Sequence, residues 1–331
     1  MSSPTLKKIA QTLGISVSTA SRALKQHPDI SVVTRQKVLD LAKTLDYEPN
    51  ANAVQLRTRN SKLFGILIPT IANQFYDSFI ASLEEICRNN GYSIIILQSA
   101  NDPAIEAENL KLFRQNRISG LFACITASTR ELSAYEKMDE AAIPVIFFDK
   151  VPPDEHLHTV CLADSAAGEM AADTIIRKNK KKVLALFGDP QMSITKKRLA
   201  AFTNHMNEKA PGIAVQTVHA ISSEEARIKT TAAIQDQQNR PDTLFCMSDE
   251  ILIGALKALQ VNGLRTPEDV ALIAISNGFI PKLFHPEITY VETSGQKLAE
   301  QAFVNMQLFL ANQLPEGPSI VSSVLVEGGT I

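Results

Sequence analysis

The stretch Thr5-Leu-Lys-Lys-Ile-Ala-Gln-Thr-Leu-Gly-Ile-Ser-Val-Ser-Thr-Ala-Ser-Arg-Ala-Leu24 decides how the first part of the chain folds. Behind Thr5, whose hydroxyl can cap a helix, Leu6, Ile9, Ala10 and Leu13 recur at helical spacing. Gly14 supplies the permissive turn residue just past that helix. Ser16 then opens a second helix with Ala20, Ala23 and Leu24 facing inward. A third follows Ser31, with Val38, Leu41, Ala42 and Leu45 on one stripe, and ends before Tyr47-Glu48-Pro49. Three short amphipathic helices with a glycine turn between the first two predict a small all-α helix-turn-helix head over residues 1–48.

The second helix turns Val17, Ser18, Ser21, Arg22 and Lys25 outward. Small residues at its start let it sink into a DNA major groove. There Val17 can touch a thymine methyl, Ser18 can serve either donor or acceptor edges, and Arg22 can fork onto guanine. On pattern alone, a three-helix bundle with a solvated face fits equally well. Charge leans toward DNA: residues 1–62 hold ten Lys/Arg against four Asp/Glu, whereas the remainder carries −8 within an overall −2. A basic head on an acidic body suits a polyanionic partner for the head alone.

Residues 49–62 read as a hinge helix and linker: a short helix from Pro49 to Arg59 with Asn50 as its cap, too short to be stable alone. From residue 63 apolar strand candidates alternate with helical stretches. Leu63–Pro69, Tyr92–Gln98, Gly120–Ile125 and Val145–Phe148 form a first set. Val183–Phe187, a strand near Val215, Leu244–Cys246 and Val270–Ile275 form a second. This rhythm predicts an α/β body, residues 63–331, of two doubly wound parallel-sheet lobes. A helix near Ser294–Asn312 and a strand near Val321–Val326 suggest that the chain crosses back, giving a first lobe near 63–162 and 292–313 and a second near 163–290 and 318–331. Ligands bind such lobes at the carboxyl ends of the strands, in the cleft between them.

The head run, continuing through Thr34-Arg-Gln-Lys-Val38 to Tyr47-Glu-Pro-Asn50, resembles the head of the lactose-repressor (LacI/GalR) family. Weaker landmarks extend the resemblance over nearly the whole chain: Pro69-Thr-Ile-Ala-Asn-Gln-Phe-Tyr76, Phe148-Asp149, Gly188-Asp-Pro190, Arg198-Leu-Ala-Ala-Phe202, Ser248-Asp249 and Pro286-Glu-Ile-Thr289. The resemblance implies a periplasmic-binding-protein-like body and a transcriptional regulator, a repressor, controlled by a small-molecule effector. It implies DNA contacts from Thr5, Ser16, Val17, Ser18, Thr19, Ser21 and Arg22. In the hinge it implies contacts from Asn50, Ala53 and Arg57, and a Leu56 wedge in the minor groove. It places Phe75, Tyr76, Asp149, Arg198, Ser248, Asp249 and Ser276 at the effector. For each of these a structural role is the competing reading, Phe75 as core, Asp149 as a cap and Arg198 as a lobe-bridging ion pair.

Two departures fall in the head: Lys8 stands where the family places an acid, and Asp46 where a glycine ends the third helix. In the body, serines at 248 and 276 stand where sugar-responsive relatives carry Asn and Asp. A sugar or sugar derivative is the first expectation for the effector, with a nucleobase or other metabolite as the alternative. The expected partners are a pseudo-palindromic double-stranded DNA operator and a second copy of the chain.

Other classes find less support. The six histidines show no nucleophile–base or metal spacing, and no Gly-rich phosphate loop follows the first strand, so neither catalysis, cofactor nor metal is expected. Cys87, Cys124, Cys161 and Cys246 lie far apart in apolar runs, as buried free thiols in a reducing compartment do. No signal-like segment or membrane span is visible, which points to the cytoplasm, at the nucleoid when bound to DNA, and to no membrane partner. A ligand-binding receptor without DNA function would fit the body alone but leaves residues 4–59 without a purpose.

Overall fold

The computed structural model describes residues 4–47, 61–153, 156–313 and 317–331. The chain divides into two compact units, Met1–Ser61 and Lys62–Ile331.

In the first unit α1 (Leu6–Thr12), α2 (Val17–Leu24) and α3 (Val32–Thr44) form the three-helix head. Each start is capped by a hydroxyl: Lys8 N–H donates to Thr5 Oγ1 at 3.3 Å, Thr19 N–H to Ser16 Oγ at 3.0 Å and Thr34 N–H to Ser31 Oγ at 3.2 Å. Such caps contribute about 1 kcal/mol each. That matters here, because among the described residues the buried core of the head is small: Ile9, Ala10, Ala20, Ala23, Val38 and Ala42. Gly14 turns the chain between α1 and α2 at φ +63°. Asp46 takes the same left-handed region after α3, at φ 49°. There a side-chain-bearing residue costs on the order of 1 kcal/mol relative to glycine.

The second unit holds two six-stranded sheets. The first contains β1 (Leu63–Ile68), β2 (Ser93–Gln98), β3 (Gly120–Ala123), β4 (Val145–Phe148), β5 (Thr159–Leu162) and β11 (Ser319–Val321), in the order β11-β5-β4-β3-β1-β2. Its pairings are all parallel. The second contains β6 (Lys182–Phe187), β7 (Ala214–His219), β8 (Thr243–Cys246), β9 (Ala271–Ser276), β10 (Thr289–Glu292) and β12 (Val324–Val326), in the order β12-β10-β9-β8-β6-β7. It is parallel except for β12, which runs antiparallel to β10. Leu63-Phe-Gly-Ile-Leu-Ile68 shows why these strands read as unbroken apolar runs: helices cover both faces, so residues 64–68 are all buried.

The helices between them are α4 (Gln74–Asn89), α5 (Pro103–Gln115), α6 (Ser133–Glu140), α7 (Asp164–Arg177), α8 (Ser193–Lys209), α9 (Ser223–Gln235), α10 (Asp249–Val261), α11 (Phe279–Lys282) and α12 (Gly295–Leu310). The chain passes from the first lobe to the second after β5, returns after β10 and crosses once more near its end. That last crossing corrects an expectation. The segment from 318 onward does not belong wholly to the second lobe, because Ser319–Val321 pairs with β5 of the first. The single strand expected near Val321–Val326 is two short strands, with Ser322 and Ser323 between them at the crossover.

Candidate functional site: a DNA face and an interlobe cleft

On the head, α2 exposes the side expected to meet DNA. Val17 is 45% exposed although it is apolar, and Ser18 and Arg22 are exposed beside it, while Ala20 and Ala23 on the opposite side are buried. Thr5 and Ser16 are exposed, and Thr19 and Ser21 are half-buried. Ser16 organises this end of the helix: its Oγ accepts the Thr19 amide and lies 2.7 Å from Ser18 Oγ and 2.8 Å from Thr19 Oγ1. The hydroxyls that would read bases are therefore held in place by the cap. Asn50, Ala53, Leu56 and Arg57 lie outside the described residues.

In the body, a cavity of about 540 Å³ opens between the two lobes at the carboxyl ends of their strands. Phe75, Tyr76 and Asp149 line it from the first lobe; Arg198, Ser248 and Asp249 line it from the second. These six expected residues come together from four separate stretches of chain.

Asp149 follows β4 in the left-handed region at φ 56°, uncommon for residues other than glycine but tolerated by aspartate better than by most. It is buried, and its Oδ2 accepts the Tyr76 hydroxyl at 2.8 Å. The Cys124 thiol lies 3.2 Å from the same hydroxyl. Burial and then the Asp149 charge push the Tyr76 phenol well above its ordinary value, so the ring keeps its proton and donates it to the carboxylate.

Arg198 is tied down within the second lobe, so it does not bridge the lobes. Its Nε donates to Asp164 Oδ1 at 2.9 Å, with Nη2 ion-paired to the same oxygen at 2.9 Å, and its Nη1 donates to the Met247 carbonyl at 2.7 Å. Burial pushes the Asp164 carboxyl upward, opposed by the Arg198 charge. The fork has five N–H donors, so donors remain for a ligand after these two hydrogen bonds.

Asp249 opens α10. Its Oδ2 accepts the Asn277 amide at 3.1 Å, and its Oδ1 accepts the Ser276 hydroxyl. Burial raises its carboxyl above the ordinary range, and these two hydrogen bonds oppose the shift. Ser276 itself does not line the cavity: it is buried beneath Asp249, and its Oγ also accepts the Gly278 amide at 3.0 Å. A side chain this short, with its hydroxyl engaged below the floor, orients Asp249 instead of touching the cavity.

Several lining residues were not singled out from the sequence, among them Lys150, Asn73, Ser128, Met192 and Thr195. Two had a readable signal. Lys150 follows Asp149 directly, and Thr195 precedes Arg198 by three residues on one helical face. Among the described residues, no cluster of three or more His, Cys, Asp or Glu could hold a metal ion, and no helix is long and apolar enough to cross a membrane.

Comparison with known proteins assigns both parts of the chain to known domain types. Residues 5–50 match the model of bacterial regulatory proteins of the lacI family, and residues 64–279 match that of a periplasmic binding protein domain. The chain is 26% identical over 320 residues to catabolite control protein A of Staphylococcus epidermidis, covering 96% of this chain and 95% of that protein. It is 25% identical to the HTH-type transcriptional repressor PurR of Histophilus somni, covering 90% of each. Its fold superposes with a TM-score of 0.88 on the lac repressor dimer bound to operator and the anti-inducer ONPF, at 18% identity and 99% coverage of each chain. The chain belongs to the lacI family of DNA-binding transcriptional regulators, with a helix-turn-helix head and a periplasmic-binding-protein body.

Proposed function

We propose that this regulator is an effector-controlled repressor acting as a homodimer on a pseudo-palindromic operator in the cytoplasm, without catalysis. The observation that carries the effector reading is the interlobe cavity, where Tyr76, Asp149, Arg198 and Asp249 converge from both lobes. Buried carboxylates and a guanidinium with spare donors suit a small ligand rich in hydroxyls, so a sugar or sugar derivative is the favoured class, with a nucleobase as the alternative. Ser18 and Arg22 on α2 read base edges, Val17 packs on a thymine methyl, and Thr5, Ser16, Thr19 and Ser21 fix the helix start against the duplex. In the hinge, Asn50, Ala53 and Arg57 contact DNA, and Leu56 is the minor-groove wedge.

Two chains pair through the body. Ile253 on α10 and Phe279 and Leu283 on and beside α11 are large apolar side chains left exposed, as suits a surface covered by a second copy. A ligand that binds one arrangement of the lobes more tightly changes DNA affinity, and DNA changes ligand affinity by the same factor. Duplexes selected from a random pool by the full chain, then challenged with sugars, sugar derivatives and nucleobases, test this reading. The expected result is a compound class that alters DNA retention. Retention indifferent to every class overturns effector control.

A further inference from the structure

Three helices begin at the walls of the cleft, and one differs in charge from the other two. In α4 the first amides, those of Phe75 and Tyr76, are capped by Asn73 Oδ1. α10 opens with two acids, Asp249 and Glu250, which complement its positive end. α8 begins with neither a side-chain cap at Met192 nor an acid in its first turn. Among the described residues, the amides of Ser193, Ile194 and Thr195 have no backbone acceptor, as at any helix start left without a cap.

Thr195 supplies a second, independent observation. Its side chain is 2% exposed and lines the cavity, yet among the described residues its hydroxyl makes no hydrogen bond. Buried hydroxyls in folded proteins almost always find a partner, and here the open side is the cleft. Gly188 faces it: a Cβ at that position would lie 3.3 Å from Thr195 Oγ1, so the bare backbone leaves room at the helix start. One turn along α8, Arg198 brings its uncommitted N–H donors to the same cavity. The carboxylate on this wall, Asp189, is turned to the Gln191 amide at 2.8 Å. From the first lobe Lys150 reaches the cavity, its ammonium 5.7 Å from the centre of the Tyr76 ring and without an ion pair or hydrogen bond among the described residues.

We propose that the first turn of α8, with Thr195 and Arg198, is a subsite for an anionic head group of the effector, a phosphate or a carboxylate. Lys150 completes it from the facing lobe. The inference rests on reading the cleft as the effector site. It narrows the ligand to a polyol with one anionic end: free amides, a hydroxyl and cations hold the anion, while Asp149 and Asp249 accept hydroxyls from the rest of the molecule. A sugar phosphate and a sugar acid share this chemistry.

The test is a thermal-unfolding titration of the full chain with inorganic phosphate against chloride at matched ionic strength, with parallel arms of glucose 6-phosphate, gluconate and glucose. Phosphate should raise the unfolding temperature, and Thr195→Val and Lys150→Met should each weaken its apparent affinity by about fivefold or more. Stronger stabilisation by glucose 6-phosphate than by gluconate identifies the phosphate source, and the reverse order identifies the carboxylate. If phosphate and gluconate are no better than chloride, the anion subsite is wrong. If glucose alone stabilises and both variants bind it as the parent does, the subsite falls while the effector cleft stands.

Discussion

Arg198 and Asp164 form an ion pair at 2.9 Å in which the two side chains are 4% and 5% exposed. The pair joins the start of α7 to the middle of α8, and the Met247 carbonyl takes a further N–H of the same guanidinium. One group therefore fixes three segments of the second lobe and still lines the interlobe cavity.

Removing one partner leaves a buried charge unpaired. Asp164→Ala should destabilise the body by about 3–5 kcal/mol, read as a lower urea midpoint with an unchanged m-value. Arg198→Lys keeps the charge opposite Asp164 but loses the fork, and should cost only part of that amount. An Asp164→Ala midpoint equal to the parent's would show the pair to be dispensable.

Tyr76 and Asp149 give a smaller, separable effect. Tyr76→Phe keeps the ring but removes a hydrogen bond of 2.8 Å to a carboxylate, at a cost of about 1.5–3 kcal/mol. It should also weaken effector binding, since Asp149 loses the hydroxyl that orients it. Calorimetric titration with the effector and equilibrium denaturation separate the two consequences. A variant as stable as the parent would mean that solvent replaces the lost hydroxyl.

In the head, stability and recognition divide between neighbouring residues. Ser16→Ala removes the α2 cap and should cost the head about 1 kcal/mol. Arg22→Ala touches no cap and should leave stability near the parent's, while lowering discrimination between operator and scrambled duplex by about 1–3 kcal/mol. Circular dichroism melts and binding to the two duplexes distinguish these outcomes.

Glu106 carries a pH signature. It is buried on α5, where its carboxylate accepts the Thr126 amide at 3.1 Å and the Thr129 hydroxyl at 2.9 Å, fastening the loop that brings Ser128 to the cleft. Burial raises its carboxyl above the ordinary glutamate range, against the pull of those hydrogen bonds. An acid raised on folding holds its proton longer in the native state. Its contribution is therefore fully present below the unfolded value and declines as pH rises through the folded one. The stability of the parent relative to Glu106→Gln should fall with increasing pH across that window. A difference that is flat, or that rises, would contradict the assignment.

Much of this architecture was visible in the residues. Runs such as Leu63–Ile68 are apolar throughout because helices cover both faces of a parallel sheet, and that pattern survives without any knowledge of tertiary contacts. The caps at Thr5 and Ser16 were equally plain, since a hydroxyl before an apolar helical stripe has a local physical cause. The final crossover was not, because Ile320-Val321 and Val324-Leu325-Val326 are alike in composition and only pairing assigns them to different sheets. In the cleft, Asp149 and Arg198 stood out by motif, whereas the neglected hydroxyl of Thr195 is a fact of burial that composition does not encode. Ser276 shows the converse: a residue at an expected position lies one layer below the cavity it serves.

The most direct test of a DNA-reading regulator is the affinity of the full chain for its selected duplex, measured by fluorescence anisotropy across a salt series. The expected result is tight binding whose log K falls linearly and steeply with log salt, as several Lys/Arg–phosphate contacts release counterions, and whose preference over scrambled sequence is reduced by Arg22→Ala. Absence of binding to any duplex, or binding indifferent to both salt and sequence, would contradict it.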